Sequence, residues 1–117
     1  LVVEGEFAFR MGRDLAPRAR PYSRADVLAA IDTLHPAIEV PNSRFEPFEK
    51  AGAAQLIADN ACAEYFMLGE AAPSSWRDID LVKHEIRATD GRGQVHVGNG
   101  GAVLDDPLLA LAWIANE

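Results

Sequence analysis

Two glutamates near the start of the chain are spaced so that both could face one ligand. Glu4 and Glu6 lie in the stretch VEGEFAF at residues 3–9, which favours a β-strand. Successive side chains of a strand point to opposite faces, so the two carboxylates would share one face. Like charges this close repel each other, and a hard divalent cation such as Mg²⁺, Mn²⁺ or Ca²⁺, which prefers oxygen ligands, would remove the repulsion. The alternative interpretation is a half-buried strand whose polar face simply meets water.

A third glutamate could join the first two. Glu39 lies in the stretch PAIEVP at residues 36–41, a short apolar segment bounded by prolines that predicts a second strand. If this strand pairs beside the first, three carboxylates converge and leave about half of an octahedral shell open for water or a chelating substrate. The spacing along the chain matches no metal motif, so the convergence depends on how the strands pair.

Several later stretches extend this pattern. They are IADNA at residues 57–61, FMLG at 66–69, GNGGAVL at 98–104 and WIAN at 113–116, with Ser43 and Arg44 shortly after PAIEV. In this order, and together with VEGEFAF and PAIEV, they resemble the 2-keto-4-pentenoate hydratase family within the fumarylacetoacetate hydrolase superfamily. The resemblance covers nearly the whole chain.

The resemblance implies a metal centre and a substrate pocket. The family's Glu-x-Glu pair and later glutamate, carried onto this chain, make the ligands of Mg²⁺ or Mn²⁺ Glu4, Glu6 and Glu39. The substrate pocket would include Arg44, Asp59 and Cys62, with cysteine standing where the family has serine. From the residue types alone, simpler roles remain open: the arginine can clamp local backbone, the aspartate can end a helix, and the cysteine can be a small core side chain.

The resemblance also implies a reaction. Hydratases of this family add water to 2-hydroxypenta-2,4-dienoate and give 4-hydroxy-2-oxopentanoate in aromatic catabolism, so the implied partner is a small 2-oxo or 2-hydroxy-dienoic acid. Related members decarboxylate 4-oxalocrotonate or, as fumarylpyruvate-type hydrolases, cut a carbon–carbon bond. The family's enzymes are longer and carry a proton-transferring lysine that neither Lys50 nor Lys83 matches. We therefore expect a central-to-C-terminal portion of a longer catalytic domain with little turnover of its own. A non-catalytic, oligomerising chain is the alternative from another class.

The composition is that of an acidic globular chain. It has 117 residues and a net charge of −7, with 49% hydrophobic and 25% charged residues, which suits a single domain. The acidic balance disfavours a nucleic-acid or anionic-membrane surface, and no apolar run approaches the ~20 residues of a membrane span. The single cysteine cannot form an intrachain disulfide and fits a reducing, cytoplasmic compartment. Because the resemblance implies that segments completing the family's sheet are missing from this chain, sheet edges would be left open, and we expect a homo-oligomer.

Hydrophobic periodicity predicts an α+β fold. The predicted strands are 2–10, 37–40 and 63–69 with a hairpin over 79–97, and the predicted helices are 24–34, 50–58 and one that starts at Asp106 and Pro107. In the loop at 73–77, Trp76 is expected to form an apolar lid on the surface. The resemblance adds that the sheet is mixed, mostly antiparallel and curved, a rolled β-sandwich of the fumarylacetoacetate hydrolase type with two or three edge helices.

Overall fold

The computed structural model describes residues 2–117 and shows five strands and three α-helices. The strands are β1 (Glu4–Met11), β2 (Ile31–Pro41), β3 (Ala63–Leu68), β4 (Glu85–Thr89) and β5 (Val95–Asn99). The helices are α1 (Arg24–Ala30), α2 (Ala53–Ala58) and α3 (Pro107–Asn116). Short 3₁₀ turns occupy Phe48–Lys50, Asn60–Cys62, Ser74–Asp78 and Gly100–Ala102. Over this part of the chain, no helix has both the length and the apolar character needed to cross a membrane.

The strands form two antiparallel units. β1, β2 and β3 make a three-stranded sheet in that order, and β4 and β5 make a separate hairpin. The hairpin turns at Asp90, whose side chain accepts hydrogen bonds from the backbone N–H groups of Arg92 and Gln94, each at 2.9 Å. This local bonding explains why the sequence signal for the turn is reliable. The prediction of an α+β fold with mostly antiparallel strands is confirmed.

The core lies on the face of β1 that carries Phe7 and Phe9. The buried side chains packed there are Ile31, Leu34, Trp76, Leu81 and Leu108. The expectation that Trp76 forms a surface lid was wrong, because its side chain is only 3% exposed and its ring centroid lies 6.3 Å from that of Phe9. Folding inward removes a large apolar surface from water, and loop composition gives no sign of that direction.

The helix predicted over 24–34 ends early, at Ala30. Ile31 is already extended, with φ −72° and ψ 136°, and opens β2 with no loop between the two elements. Arg77 donates hydrogen bonds to the carbonyl oxygens of Leu28 at 3.1 Å and Ile31 at 2.6 Å. The bond to Leu28 satisfies a carbonyl that the helix end leaves without an intrahelical partner, and the bond to Ile31 holds the first residue of β2 in place, so the helix can stop here at little cost.

The turn that opens with Gly100 packs directly on the chain at Leu81. A Cβ atom at this position would collide with the carbonyl oxygen of Leu81 and approach the ring of Phe7. We therefore expect Gly100→Ala to lower the free energy of unfolding by about 1–3 kcal/mol, the usual cost of overpacking. Urea unfolding should show this loss, whereas Gly98→Ala, at a position with open space around it, should have little effect. Equal stability of the two variants would contradict this packing.

Candidate metal centre

Strand pairing brings the three glutamates together. Glu4 lies directly opposite Glu39 in the β1–β2 ladder, and Glu6 lies opposite Ala37 on the same sheet face. One carboxylate oxygen from each glutamate lies within 4.8 Å of the others. Glu4 is exposed, and the other two carboxylates are half-buried. Their role as metal ligands remains a prediction, but the three carboxylates do converge, as that role requires.

The size of this oxygen cluster can be compared with known cation shells. Mg²⁺ binds oxygen at about 2.0–2.1 Å, so opposite ligands lie roughly 4 Å apart, and Ca²⁺ at about 2.3–2.6 Å allows roughly 5 Å. The three oxygens lie within 4.8 Å of one another, which is close to the width of a Ca²⁺ shell, and Mg²⁺ or Mn²⁺ would require the carboxylates to move closer together. Three negatively charged oxygen donors are also the ligand type that these hard cations prefer. The residues therefore fit a divalent metal centre.

The electrostatics of the cluster are unfavourable without a cation. Burial raises the pKa of Glu6 above its usual range, and the charges of Glu4 and Glu39 raise this pKa further. Because the same interactions oppose ionisation, Glu6 takes up a proton at higher pH than an ordinary glutamate. A bound cation would reverse this preference by attracting all three carboxylates.

Two cavities of the described structure lie largely away from the glutamate cluster. A cleft of about 960 Å³ lies between the apolar face of β1, the β4–β5 hairpin and α3, and Glu6 is its only border residue from the glutamate cluster. A second cavity of about 510 Å³ is lined by residues 46–49. The glutamate cluster therefore lies on an open sheet face, where Phe66 of β3 is paired with Glu39 and is 59% exposed. Only the β2–β3 register reveals this aromatic neighbour, which sequence analysis missed.

The predicted pocket residues Arg44 and Asp59 contact each other. The side chain of Asp59 is buried, and its Oδ1 accepts a hydrogen bond from Arg44 Nη1 at 2.6 Å. Its Oδ2 accepts from Ser43 Oγ at 2.7 Å and from the Arg44 backbone N–H at 3.1 Å. Ser43 was not predicted as a site residue, and its only sequence signal was its position beside the arginine. The predicted substrate-binding roles of Arg44 and Asp59 are not tested by these contacts.

Cys62 lies in a left-handed turn next to this pair. Asn60, Ala61 and Cys62 have φ values of 52°, 53° and 55°, a conformation that residues with a Cβ rarely adopt. The Cys62 N–H donates to the Asp59 carbonyl at 3.0 Å, and its own carbonyl accepts from the Asn42 N–H at 2.7 Å. The turn is thus tied to the end of β2 through backbone bonds. The thiol is half-buried, and its proposed contact with substrate remains a prediction.

Asp59 should make stability depend on pH in acid. The hydrogen bond from Ser43, and then that from Arg44, holds the pKa of Asp59 below its usual range. The resulting stabilisation is present above the unfolded-state pKa of about 3.9 and is lost as pH falls through the lower folded-state pKa. Asp59→Asn should therefore flatten the fall of melting temperature as the pH drops below about 4. Part of the fall should persist, because the pKa values of Asp26 and Asp80 are also lowered. An unchanged slope would contradict this assignment.

Comparison with known proteins finds several relatives that are named as hydratases of small dienoic acids. The chain is 36% identical over 113 residues to the 2-hydroxypent-2,4-dienoate hydratase of Pseudomonas putida, covering 97% of this chain and 49% of that protein. It is 37% identical over 114 residues to 2-keto-4-pentenoate hydratase 1 of Dechloromonas aromatica, covering 97% of this chain and 42% of that protein. The chain thus spans less than half the length of these curated relatives. No family model matches the chain.

Solved structures show the same fold. The 4-oxalocrotonate decarboxylase from Pseudomonas putida G7, complexed with magnesium and adipate, matches with a TM-score of 0.75 and 32% identity, over 97% of this chain and 42% of that one. The same enzyme complexed with calcium and acetate matches with a TM-score of 0.72 and 30% identity, over 97% and 41% of the two chains. Both complexes contain a divalent cation together with a molecule that bears a carboxylate.

Proposed function

We propose that this chain is a portion of a member of the 2-keto-4-pentenoate hydratase family, and that it carries the divalent-metal centre of a lyase acting on a small 2-oxo or 2-hydroxy-dienoic acid. The observation that carries this proposal is the convergence of Glu4, Glu6 and Glu39 within 4.8 Å on one sheet face. It is supported by the solved relatives that hold magnesium or calcium with a carboxylate-bearing molecule.

The three glutamates would hold Mg²⁺ or Mn²⁺. When bound, such an ion polarises the ligand oxygens that it contacts and stabilises negative charge that develops there. Arg44 would orient the substrate carboxylate, because a guanidinium group matches a carboxylate with two parallel hydrogen bonds. This role is supported by the position of Arg44 just after β2, which ends at Pro41 shortly beyond Glu39.

The favoured reaction is hydration of 2-hydroxypenta-2,4-dienoate to 4-hydroxy-2-oxopentanoate, as the names of the curated relatives suggest. Decarboxylation of 4-oxalocrotonate is the second candidate, favoured by the structural matches. A fumarylpyruvate-type carbon–carbon cleavage would use the same metal site. All three reactions place a 2-oxo or 2-hydroxy acid beside the cation, so the metal centre alone does not choose among them.

A product assay with Mn²⁺ and a panel of these substrates tests the proposal. Loss of the dienoate absorbance indicates hydration and release of CO₂ indicates decarboxylation, and Glu6→Gln is the matched inactive control. We expect a low rate, because a positioned acid–base group typically contributes ~10²–10⁴-fold. Lys83 is paired with Asp80 at the surface, and Lys50 lies in an exposed turn, so neither supplies that group. Metal binding without turnover of any substrate would favour the non-catalytic alternative.

Self-association and a cytoplasmic location complete the proposal. Every residue of β3 is exposed, and the strand forms one edge of its sheet, so it offers free backbone groups for pairing with another copy. Analytical ultracentrifugation should then show association that increases with protein concentration. The single free thiol of Cys62 supports a reducing compartment.

A further inference from the structure

Asp59 is fully engaged within the chain. Its side chain is 1% exposed, and both of its carboxylate oxygens accept hydrogen bonds from Ser43 and Arg44. Its backbone carbonyl also accepts from the Cys62 N–H at 3.0 Å. A substrate atom has no access to a carboxylate in this state. Whatever Asp59 contributes to ligand binding must therefore pass through one of its partners.

Arg44 is the partner with a free side. Its side chain is 74% exposed, although Nη1 is held by the buried carboxylate. Within residues 2–117, the Nε and Nη2 groups of Arg44 make no hydrogen bond to the protein. One edge of the planar guanidinium is therefore fixed, and the opposite edge presents two parallel N–H donors to solvent. Such an edge binds a carboxylate through two hydrogen bonds.

We infer that Asp59 is a positioning residue that holds Arg44 in the orientation required to bind a substrate carboxylate, and that it does not touch the substrate. Ser43 supports the same arrangement by donating to Asp59 Oδ2 at 2.7 Å. An exposed arginine ordinarily loses side-chain freedom when it captures a ligand, and a fixed edge lowers that loss. This inference rests on the proposed function, because it takes the ligand to be the carboxylate of a metal-bound 2-oxo acid.

Oxalate is the probe for this inference, since it offers one carboxylate for Arg44 and oxygens for the metal. Calorimetric titrations of oxalate should be run with Mn²⁺-saturated chain for the wild type, Asp59→Asn, Arg44→Gln and the double variant. Mn²⁺ itself is titrated separately into each protein. We expect Mn²⁺ affinity to stay within about twofold, because none of these residues belongs to the glutamate cluster. Oxalate affinity should fall about tenfold in each single variant, the size of one charge-assisted contact.

The double variant shows whether Asp59 affects oxalate binding through Arg44 or independently of it. If Asp59 acts through Arg44, Asp59→Asn causes no further loss of oxalate affinity once Arg44 is glutamine. The inference is overturned if Asp59→Asn binds oxalate as the wild type does, or if it weakens binding equally in both backgrounds. It is also overturned if the wild type binds Mn²⁺ but not oxalate. Failure of the wild type to bind Mn²⁺ would instead remove the proposed function, and this inference with it.

A second variant keeps the test valid if Asp59→Asn does not fold. Arg44→Lys preserves the positive charge at an exposed position, but an ammonium group cannot bond Asp59 on one edge and a ligand on the other. We expect Arg44→Lys to lose about tenfold in oxalate affinity, as Arg44→Gln does. Wild-type oxalate affinity in Arg44→Lys would show that charge alone suffices and that the fixed guanidinium edge has no role.

Discussion

Glu6→Gln should remove most of the Mn²⁺ affinity of this chain. The substitution keeps the size of the side chain but removes one charge and the stronger oxygen donor from the three-glutamate cluster. Mutation of a residue that only hydrogen-bonds to a metal ligand typically lowers metal affinity about 10–100-fold. Loss of a charged ligand itself is therefore expected to lower Mn²⁺ affinity at least about 100-fold. Calorimetric titration with Mn²⁺ at neutral pH measures this difference directly.

The same substitution should have the opposite effect on the metal-free chain. Burial and the neighbouring charges raise the pKa of Glu6, which means that its ionised form destabilises the fold at neutral pH. Glu6→Gln should therefore melt at a higher temperature than the wild type without metal, yet gain little when Mn²⁺ is added. In the wild type, Mn²⁺ affinity should also fall as pH drops through the raised pKa, because protons compete for the carboxylate.

Glu64→Gln is the matched control for Glu6→Gln. Glu64 is an exposed glutamate of β3 that lies outside the cluster, so its substitution removes the same charge from the chain as a whole. It should leave both the Mn²⁺ isotherm and the metal-dependent gain in melting temperature as they are in the wild type. Identical isotherms for the wild type and Glu6→Gln would rule out a metal centre at these residues.

Trp76→Ala should bring the chain close to unfolding. Trp76 is 3% exposed and belongs to the core cluster that also holds Ile31 of β2 and Leu108 of α3, so truncation loses its buried surface and leaves a cavity. Such a change typically costs about 3–5 kcal/mol, against a total stability of about 5–15 kcal/mol for a domain. Urea unfolding followed by far-ultraviolet circular dichroism measures the loss without depending on tryptophan fluorescence.

The other tryptophan provides the control for this prediction. Trp113 is 58% exposed on α3, and Trp113→Ala should change the free energy of unfolding by less than about 1 kcal/mol. The two variants remove the same side chain, one from a buried and one from an exposed position. Similar losses from both would mean that Trp76 does not belong to the core described here.

Local patterns identified most elements but misplaced several boundaries: β2 begins at Ile31 and not at residue 37, α2 begins at Ala53 and not at residue 50, and the hairpin begins at Glu85 and not at residue 79. The alternation of residues 3–9 predicted β1, and the Asp90 turn predicted the hairpin, because each signal is contained within a few residues. Ile31 and Leu34 fit a helical face, but they belong to β2, where they are buried all the same. A short apolar run fits the repeat of a helix and that of a strand equally well. The hydrogen bonds at the end of α1 come from Arg77, which lies far along the chain. Such a tertiary contact has no local signal.

The candidate site was predictable in its residue types and not in its geometry. The Glu-x-Glu spacing placed Glu4 and Glu6 on one face, but only the β1–β2 register puts Glu39 opposite Glu4. A shift of one residue would have turned Glu39 to the other face. The burial of Asp59 was not predictable from the sequence either, because the pairing of β2 with β3 brings its partners Ser43 and Arg44 to it.

The direct passage from α1 into β2 has a mechanical consequence. With no loop between them, α1 and β2 form one continuous segment, and its strand part runs about 26 Å from Ile31 to Glu39 at roughly 3.3 Å per residue. Val27 of α1 is completely buried, so one end of this segment is held in the core, while the other end carries a carboxylate of the cluster. The packing of α1 in the core therefore helps to fix where β2, and with it Glu39, lies along the sheet.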